Sequence, residues 1–442
     1  MEDSGPTNPV WRRELIAGLT TFSAMAYILV VNPAMLSITG MDRGALLFAT
    51  AVAAAAGSIL MGALTRYPIA LAPGMGLNAF FTFTICGQME IPWQGALAMV
   101  FWTGILFLIL TLTPFRERLV HSIPLSLKIG IQGGIGLFVV VIGLKNLGIF
   151  TDPAPAWIAL RFADPDTFAL GAIVLALLGC VLAFFLVKKE VPGALLIAIV
   201  AVAILGLFVR SGGTAITQQP EALIGLPPDP SPLLFQLDWL YPFRNWETVW
   251  LAMITLVFVD LFDSLGTLIG TSRQAGLTDE NGELPRMKEA LVADATATSI
   301  GACLGTSTTT SYIESAAGVS AGGRTGWTSL VVAVCFLLAL FLHPLLAVIP
   351  AAAVAPALLV VGWLMMRSLP ELRTAPWEEI ISAGLIVLLI PLKFQIAEGI
   401  AFGFIAYTIL MLIRRKIRKV DPMLISLSGI FLVRFVWEVI DK

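Results

Sequence analysis

Residues 69–83 read IALAPGMGLNAFFTF, and residues 304–318 read LGTSTTTSYIESAAG. Both stretches are apolar enough for membrane depth, yet neither fits a regular helix. In the first, Pro73 removes a backbone donor, and Gly74 and Gly76 weaken a helical turn. In the second, consecutive Ser and Thr side chains compete for the backbone's own hydrogen bonds. Non-helical backbone in a bilayer is tolerated only where protein or a water-filled cavity surrounds it. Two interrupted spans at matching places in two halves of a chain point to a binding site near the midplane. A helix that begins after such a break aims its first N–H groups at the interruption.

The surrounding chain supplies the two halves. It has 442 residues, 58% hydrophobic and 13% charged, whereas a soluble domain carries about 25% charged residues. Apolar runs of about 20 residues recur throughout, which makes this an all-α polytopic membrane protein. Spans are expected at 15–38, 44–64, 68–86, 93–113, 121–148, 168–187 and 191–210. A second set is expected at 246–271, 289–304, 306–320, 326–347, 348–366, 377–392 and 394–413. These fourteen transmembrane segments divide as seven plus seven around a Pro-rich linker at 211–245, leaving 414–442 as an interfacial or cytoplasmic tail. A half with an odd number of spans inserts its second copy upside down, giving an inverted repeat. A faint echo supports the division: FSAMAY at 22–27 answers FVDLFD at 258–263, and 51 positions separate both Tyr27 from Asn78 and Asp263 from Glu314.

Lys and Arg gather on one side of this arrangement, with RRKIRK at 414–419 the densest cluster. The positive-inside rule then puts both termini in the cytoplasm of a bacterial inner (plasma) membrane, multi-pass. The opening MEDSGPTNPVWRRE has no apolar core, so no cleavable signal peptide is expected. The net charge of −2 gives no reason to expect nucleic acid. Cys86, Cys180, Cys303 and Cys335 sit in apolar context without CxxC spacing and read as small buried residues. His121 and His343 lie beside prolines near span ends and receive no role, and no metal site is expected.

Asn78, Asp260, Asp263 and Glu314 all fall inside expected spans. A carboxylate at the centre of a span costs at least ~2.5–3.5 kcal/mol on insertion scales. Plainer readings exist: glycines permit close helix packing, Asn joins helices, and an Asp can lock a backbone N–H. The convergence of four such residues on paired segments favours a polar substrate or a coupling ion. Asp260 and Asp263, three apart, share a helix face, and close carboxylates resist double ionisation. That property suits loading and unloading of a proton. Asp294 reads as a cap or anchor of a helix near the start of the ninth span and is left outside the site.

LAPGMGLNAFF, DLFDSLGTLIG, ADATATSIGACLGTSTTTSYIESAAG and GGRTGWTSL resemble the AzgA-like adenine/guanine/hypoxanthine permeases of the nucleobase–cation symporter (nucleobase/ascorbate transporter) superfamily. The resemblance runs over nearly the whole chain. It implies a uracil-permease-like fold with core residues 15–113 and 246–347, gate residues 121–210 and 348–413, and short extended pieces in spans three and ten. It also implies a homodimer. For the site it implies substrate contact by Asn78, by an aspartate of the eighth span and by Glu314. Asp260 is assigned to the base and Asp263 to the proton, an order that could be exchanged. Backbone N–H groups around Gly76 and Ser315 are further donors, and Thr309, Thr310 and Tyr312 line or support the site.

Such a site suits a purine nucleobase. Hypoxanthine, guanine and adenine are planar and uncharged near neutrality, with N–H donors beside acceptor atoms. A carboxylate accepts from such an edge strongly, and Asn both donates and accepts. Phe80, Phe81, Phe258 and Phe262 are candidate walls for the ring faces. The expectation is proton symport of purines by alternating access, with no cofactor beyond the coupling H⁺. No GxxxxGK[ST] motif provides for ATP. A pyrimidine, xanthine or urate carrier is the nearest alternative. An intramembrane aspartyl protease would need its two aspartates on separate spans, so the chain is not expected to be an enzyme.

Overall fold

A computed structural model describes residues 10–113, 122–147, 170–211, 214–220, 222–277 and 284–440. In chain order its principal elements begin with α1 (Val10–Met25), α2 (Ile28–Leu36), α3 (Arg43–Thr65), β1 (Leu71–Pro73), α4 (Met75–Ala79) and α5 (Trp93–Leu112). Next come α6 (Leu125–Asn146), α7 (Leu170–Lys188), α8 (Ala194–Gly206), α9 (Trp246–Ala275), α10 (Met287–Leu304), β2 (Thr309–Ser311) and α11 (Ser315–Ser320). The last are α12 (Gly326–Ala339), α13 (Ala351–Met365), α14 (Trp377–Lys393), α15 (Ile396–Ile413) and α16 (Pro422–Ile440). Among the described residues, nine helices are long and apolar enough to cross a membrane. The expected starts of the fifth and sixth spans, at 121 and 168, lie outside the described residues.

The chain forms two compact units. The first comprises Met1–Leu112 and Ala169–Ala357. Its centre is built from α3 and α10, which lie against each other. Their facing sequences, ATAVAAAAGS and ADATATSIGA, are mostly Ala, Gly, Ser and Thr. Lipid tails give little hydrophobic push between helices, so small residues that admit close backbone approach hold them together. The same logic fixes α3 against α12, where a Cβ on Gly62 would come within 2.8 Å of the Gly326 carbonyl oxygen. Asp42 starts α3 by accepting from the Ala45 N–H at 2.8 Å, the usual way to satisfy an orphan donor at a helix start. At the start of α12 the buried Glu14 of α1 accepts from the N–H of Arg324 at 3.1 Å and from the Thr328 hydroxyl.

Residues 168–210 were expected with the gate. By contact density the described part of that stretch groups instead with the first unit. A physical cause is visible at the turn before α8, where Gly193 sits close enough to α1 that a Cβ would meet the Ser23 carbonyl oxygen at 3.1 Å.

The second unit comprises Thr113–Phe168 and Leu358–Lys442. Gly130 and Gly134 let α6 press on Ala383 and Ile386 of α14, and Ser126 donates to Glu379 across the same pair at 2.6 Å. Glu378 receives Arg414 at 2.6 Å and Lys416 at 3.7 Å, which employs part of the 414–419 cluster. The tail forms α16, packed along α15. Its contacts pair Thr408 with Ser428, Phe404 with Phe431 and Phe402 with Phe435. The numbers rise on one helix as they fall on the other, so the two run antiparallel.

Candidate functional site

Both interrupted stretches form short strands, and the strands pair. β1 and β2 are antiparallel, with Leu71 opposite Ser311, Ala72 opposite Thr310 and Pro73 opposite Thr309. All six residues are buried. The ladder extends at each end: the Gly74 N–H donates to the Thr308 carbonyl at 2.9 Å, and the Tyr312 N–H donates to the Ala70 carbonyl at 3.0 Å. Pro73 has no donor to contribute and occupies the last position of the three-residue strand. Gly74 is needed where the strand gives way to α4, because a Cβ there would lie 2.7 Å from Cγ2 of Thr310. The helix then continues as a π-helix over Phe80–Gln88, a geometry that often marks functional positions.

The Ser/Thr run of residues 306–311 is consumed by its neighbours. Asn32 donates to Thr306 at 2.9 Å and to Thr50 at 2.7 Å. Ser307 donates to the amide oxygen of Asn78. Thr298 donates to the Thr309 carbonyl at 2.9 Å. Thr310 and Ser264 share a bond at 2.7 Å, and Ser264 donates on to Asp294 at 2.5 Å. Ser311 reaches the other oxygen of Asp294 at 3.2 Å. Tyr312 closes the run by donating its hydroxyl to the Pro73 carbonyl at 2.5 Å. The opposite strand is held by Ser58, which accepts from the Leu71 N–H at 3.0 Å, and by Ser315, whose hydroxyl accepts from the Ala70 N–H at 3.0 Å. Buried polar backbone must be paired somewhere, and these side chains do what a longer sheet would otherwise do.

The long helix α9 lies against α4, β2 and α11, and it carries both aspartates. They occupy different settings. Asp260 is fully buried, and its Oδ2 lies 3.3 Å from the Thr298 hydroxyl. Thr298 is already committed to the Thr309 carbonyl, and one hydroxyl carries one proton. Oδ1 of Asp260 is buried without any hydrogen-bond partner. Asp263 keeps part of its surface accessible and lies within electrostatic reach of Glu314. Glu314 is also part-accessible and accepts from the Tyr27 hydroxyl at 2.7 Å. None of these three carboxylates has a cationic partner among the described residues. Asn78, whose oxygen is taken by Ser307, has an amide nitrogen that is buried and unpartnered. Among the described residues the site therefore presents one buried carboxylate, two part-accessible ones and one buried amide donor, with no cationic side chain paired to them.

Residues 12–400 match the sequence model of the Permease family, Xan_ur_permease. The chain belongs to this family. The permease is 45% identical over 429 residues to the putative permease MJ0326 of Methanocaldococcus jannaschii, covering 96% of this chain and 94% of that one. It is 40% identical to the guanine/hypoxanthine permease PbuG of Bacillus subtilis, with 97% of each chain covered. It is 38% identical to the adenine permease AdeP of Escherichia coli, covering 96% and 93% respectively. Among solved structures it shares the fold of the transmembrane domain of the cyanobacterial bicarbonate transporter BicA, at a TM-score of 0.65 and 18% identity over 90% of this chain and 98% of that one. Murine Slc26a9, an anion transporter in its inward-facing state, is similar at a TM-score of 0.65 and 14% identity, covering 93% of this chain and 70% of that one. The permease is a multi-pass membrane transporter and not an enzyme.

The sequence-derived site residues fall into three groups in the permease. Asn78, Asp260, Thr309, Thr310 and Tyr312 are joined to the strand pair or its immediate supports. Asp263 and Glu314 form the part-accessible acidic pair. Phe258 and Phe262, one helical turn apart on α9, stack at 6.0 Å between ring centroids. Gly76 lies in the first turn of α4, where N–H groups lack intrahelical partners. Ser315 differs from expectation: its N–H donates to the Tyr312 carbonyl at 3.1 Å, so it closes a turn and is no spare donor. Two polar residues were missed. Asp294 lies two turns inside α10, fully buried and holding both Ser264 and Ser311. Its signal was a lone carboxylate in the otherwise small and neutral ALVADATATS. Tyr27 was noticed only for its spacing, which now coincides with a contact to Glu314.

Proposed function

We propose that the permease imports purine nucleobases (hypoxanthine, guanine and adenine) across the plasma membrane by proton symport and alternating access. The observation that carries this reading is the buried, unpartnered amide nitrogen of Asn78 together with the cation-free acidic pair Asp263 and Glu314. An uncharged ring with N–H groups on one edge and acceptor atoms on another satisfies such a set. Charged acceptors make the stronger hydrogen bonds. An anion would meet repulsion instead, so the solute of a bicarbonate transporter fits poorly even though the fold is shared. Relatives named for guanine, hypoxanthine and adenine support the choice of base.

The exposure of the two aspartates favours exchanging their assumed roles. Asp263, part-accessible and near Glu314, is the better base contact. Asp260, buried beside Thr298 and within electrostatic reach of Asp294, is the better proton carrier. In this reading residues 15–113 and 246–347 carry the site as a core, the remaining spans form a gate, and gate surfaces join two copies as a homodimer. Fourteen spans as an inverted repeat, with cytoplasmic termini, complete the scheme.

The deciding experiment is uptake into reconstituted vesicles with an imposed pH gradient, using labelled hypoxanthine, guanine, adenine, uracil and xanthine. Accumulation of the three purines that collapses when the gradient is dissipated is expected. Accumulation of uracil or xanthine with no uptake of hypoxanthine, guanine or adenine would overturn the substrate, and accumulation that follows Na⁺ and ignores pH would overturn the coupling.

A further inference from the structure

We infer that Tyr27 is a positioning residue for base recognition, fixing one oxygen of Glu314 so that the other is presented to the substrate. The inference rests on the nucleobase-transport reading and deepens it. The helical path changes at Ala26–Tyr27, between α1 and α2. Tyr27 is 1% exposed there, yet its hydroxyl crosses to the start of α11 and donates to Oε1 of Glu314 at 2.7 Å. The two residues are 287 positions apart in sequence, so only the fold creates the contact.

The surroundings make this bond consequential. Glu314 is flanked by Asp263 from α9 and by Tyr312 from the end of β2, both within electrostatic reach. Tyr312 spends its hydroxyl on the Pro73 carbonyl, and Asp263 as a carboxylate only accepts. Tyr27 is the only side-chain donor to Glu314 among the described residues, and the carboxylate also takes a hydrogen bond from its own backbone N–H. A Glu side chain has three rotatable bonds, and a bond to its own backbone moves with the residue, so the tie to Tyr27 is what fixes the carboxylate against another element of the fold. With Oε1 engaged, the plane of the carboxylate is set and Oε2 keeps a defined direction for an incoming N–H. Rigid placement before binding reduces the ordering cost of binding. Tyr27 needs no contact with the base to do this.

The test is a double-variant cycle on the full-length protein in vesicles, comparing wild type, Tyr27→Phe, Glu314→Gln and the pair. Tyr27→Phe removes one oxygen and keeps the buried ring. Labelled hypoxanthine is the probe, and maximal rates are normalised to the amount of inserted protein. A KM about tenfold higher with a maximal rate within about twofold is expected for Tyr27→Phe, the size of one charge-assisted hydrogen bond. In the Glu314→Gln background the further effect of Tyr27→Phe is expected to shrink to about twofold, because the two residues act as one unit. An unchanged KM for Tyr27→Phe, or equal effects of the change in both backgrounds, would overturn the inference. A purely structural tyrosine would lower inserted protein or maximal rate without moving KM. If wild-type protein accumulates uracil or xanthine instead of hypoxanthine, guanine and adenine, the substrate reading fails and the same cycle is run with that base, so the two failures stay separate.

Discussion

The hydroxyl of Ser307 donates to the amide oxygen of Asn78, binding the segment that leads into β2 to the half-helix after β1. The two segments lie 229 positions apart in sequence. The bond consumes the acceptor of Asn78 and leaves its Nδ2 buried and unpartnered. Asn78 therefore supports the strand crossing and keeps a donor in reserve.

Asn78→Ala removes both functions. Base uptake is expected to fall by at least about tenfold, since leaving a buried polar partner unpaired costs about 1–3 kcal/mol. Ser307→Ala removes the bond to Asn78 and keeps the Nδ2 donor, so it should lower thermal stability by about 1–3 kcal/mol while reducing uptake less than Asn78→Ala does. Thermal unfolding of the detergent-solubilised protein, measured beside uptake, separates the two. A loss of uptake by Ser307→Ala as large as that of Asn78→Ala would show that the reserve donor is not used.

Asp260 and Asp263 should separate by assay. Asp263→Asn is expected to raise the half-saturating concentration of base in exchange assays by about tenfold or more, as a lost charged acceptor would. Asp260→Asn is expected to retain base exchange while losing accumulation driven by a pH gradient. The reverse pattern would return the roles to Asp260 for the base and Asp263 for the proton.

Glu314→Ala is expected to abolish uptake with the protein still inserted and eluting as a single species. Normal uptake by this variant would remove Glu314 from the site.

Gly74 offers a packing test. Gly74→Ala would put a methyl 2.7 Å from Cγ2 of Thr310, and crowding of this kind typically costs about 1–3 kcal/mol. Thr310→Ser deletes that methyl and keeps the hydroxyl that meets Ser264. The double variant should therefore regain most of the stability and uptake lost by Gly74→Ala. Additive losses in thermal unfolding would show that the strands are not held by this contact.

Asp294 makes the remaining case. Its two oxygens receive Ser264 and Ser311, so Asp294→Asn would turn one acceptor into a donor facing a hydroxyl. The expected result is a destabilisation of about 1–3 kcal/mol in thermal unfolding, with uptake reduced in step. Full stability with uptake lost would assign Asp294 to the transported proton and not to the scaffold.

The membrane class, the pair of interrupted segments and the polar residues within them were legible in the sequence. Composition dictates the first because a chain 58% hydrophobic has few alternatives. Local backbone chemistry points to the second, because Pro73 beside Gly74, and a run of six Ser and Thr residues, disfavour a regular helix. The polar residues stand out because a bilayer makes each of them costly. What the tertiary structure decided was partnership. That β1 meets β2 with Pro73 opposite Thr309, that Asp294 holds Ser264 and Ser311, and that Tyr27 reaches Glu314 are contacts between residues brought together by the fold. Hydrogen-bond direction and side-chain exposure are properties of neighbours in space, and no local pattern of residue types encodes them.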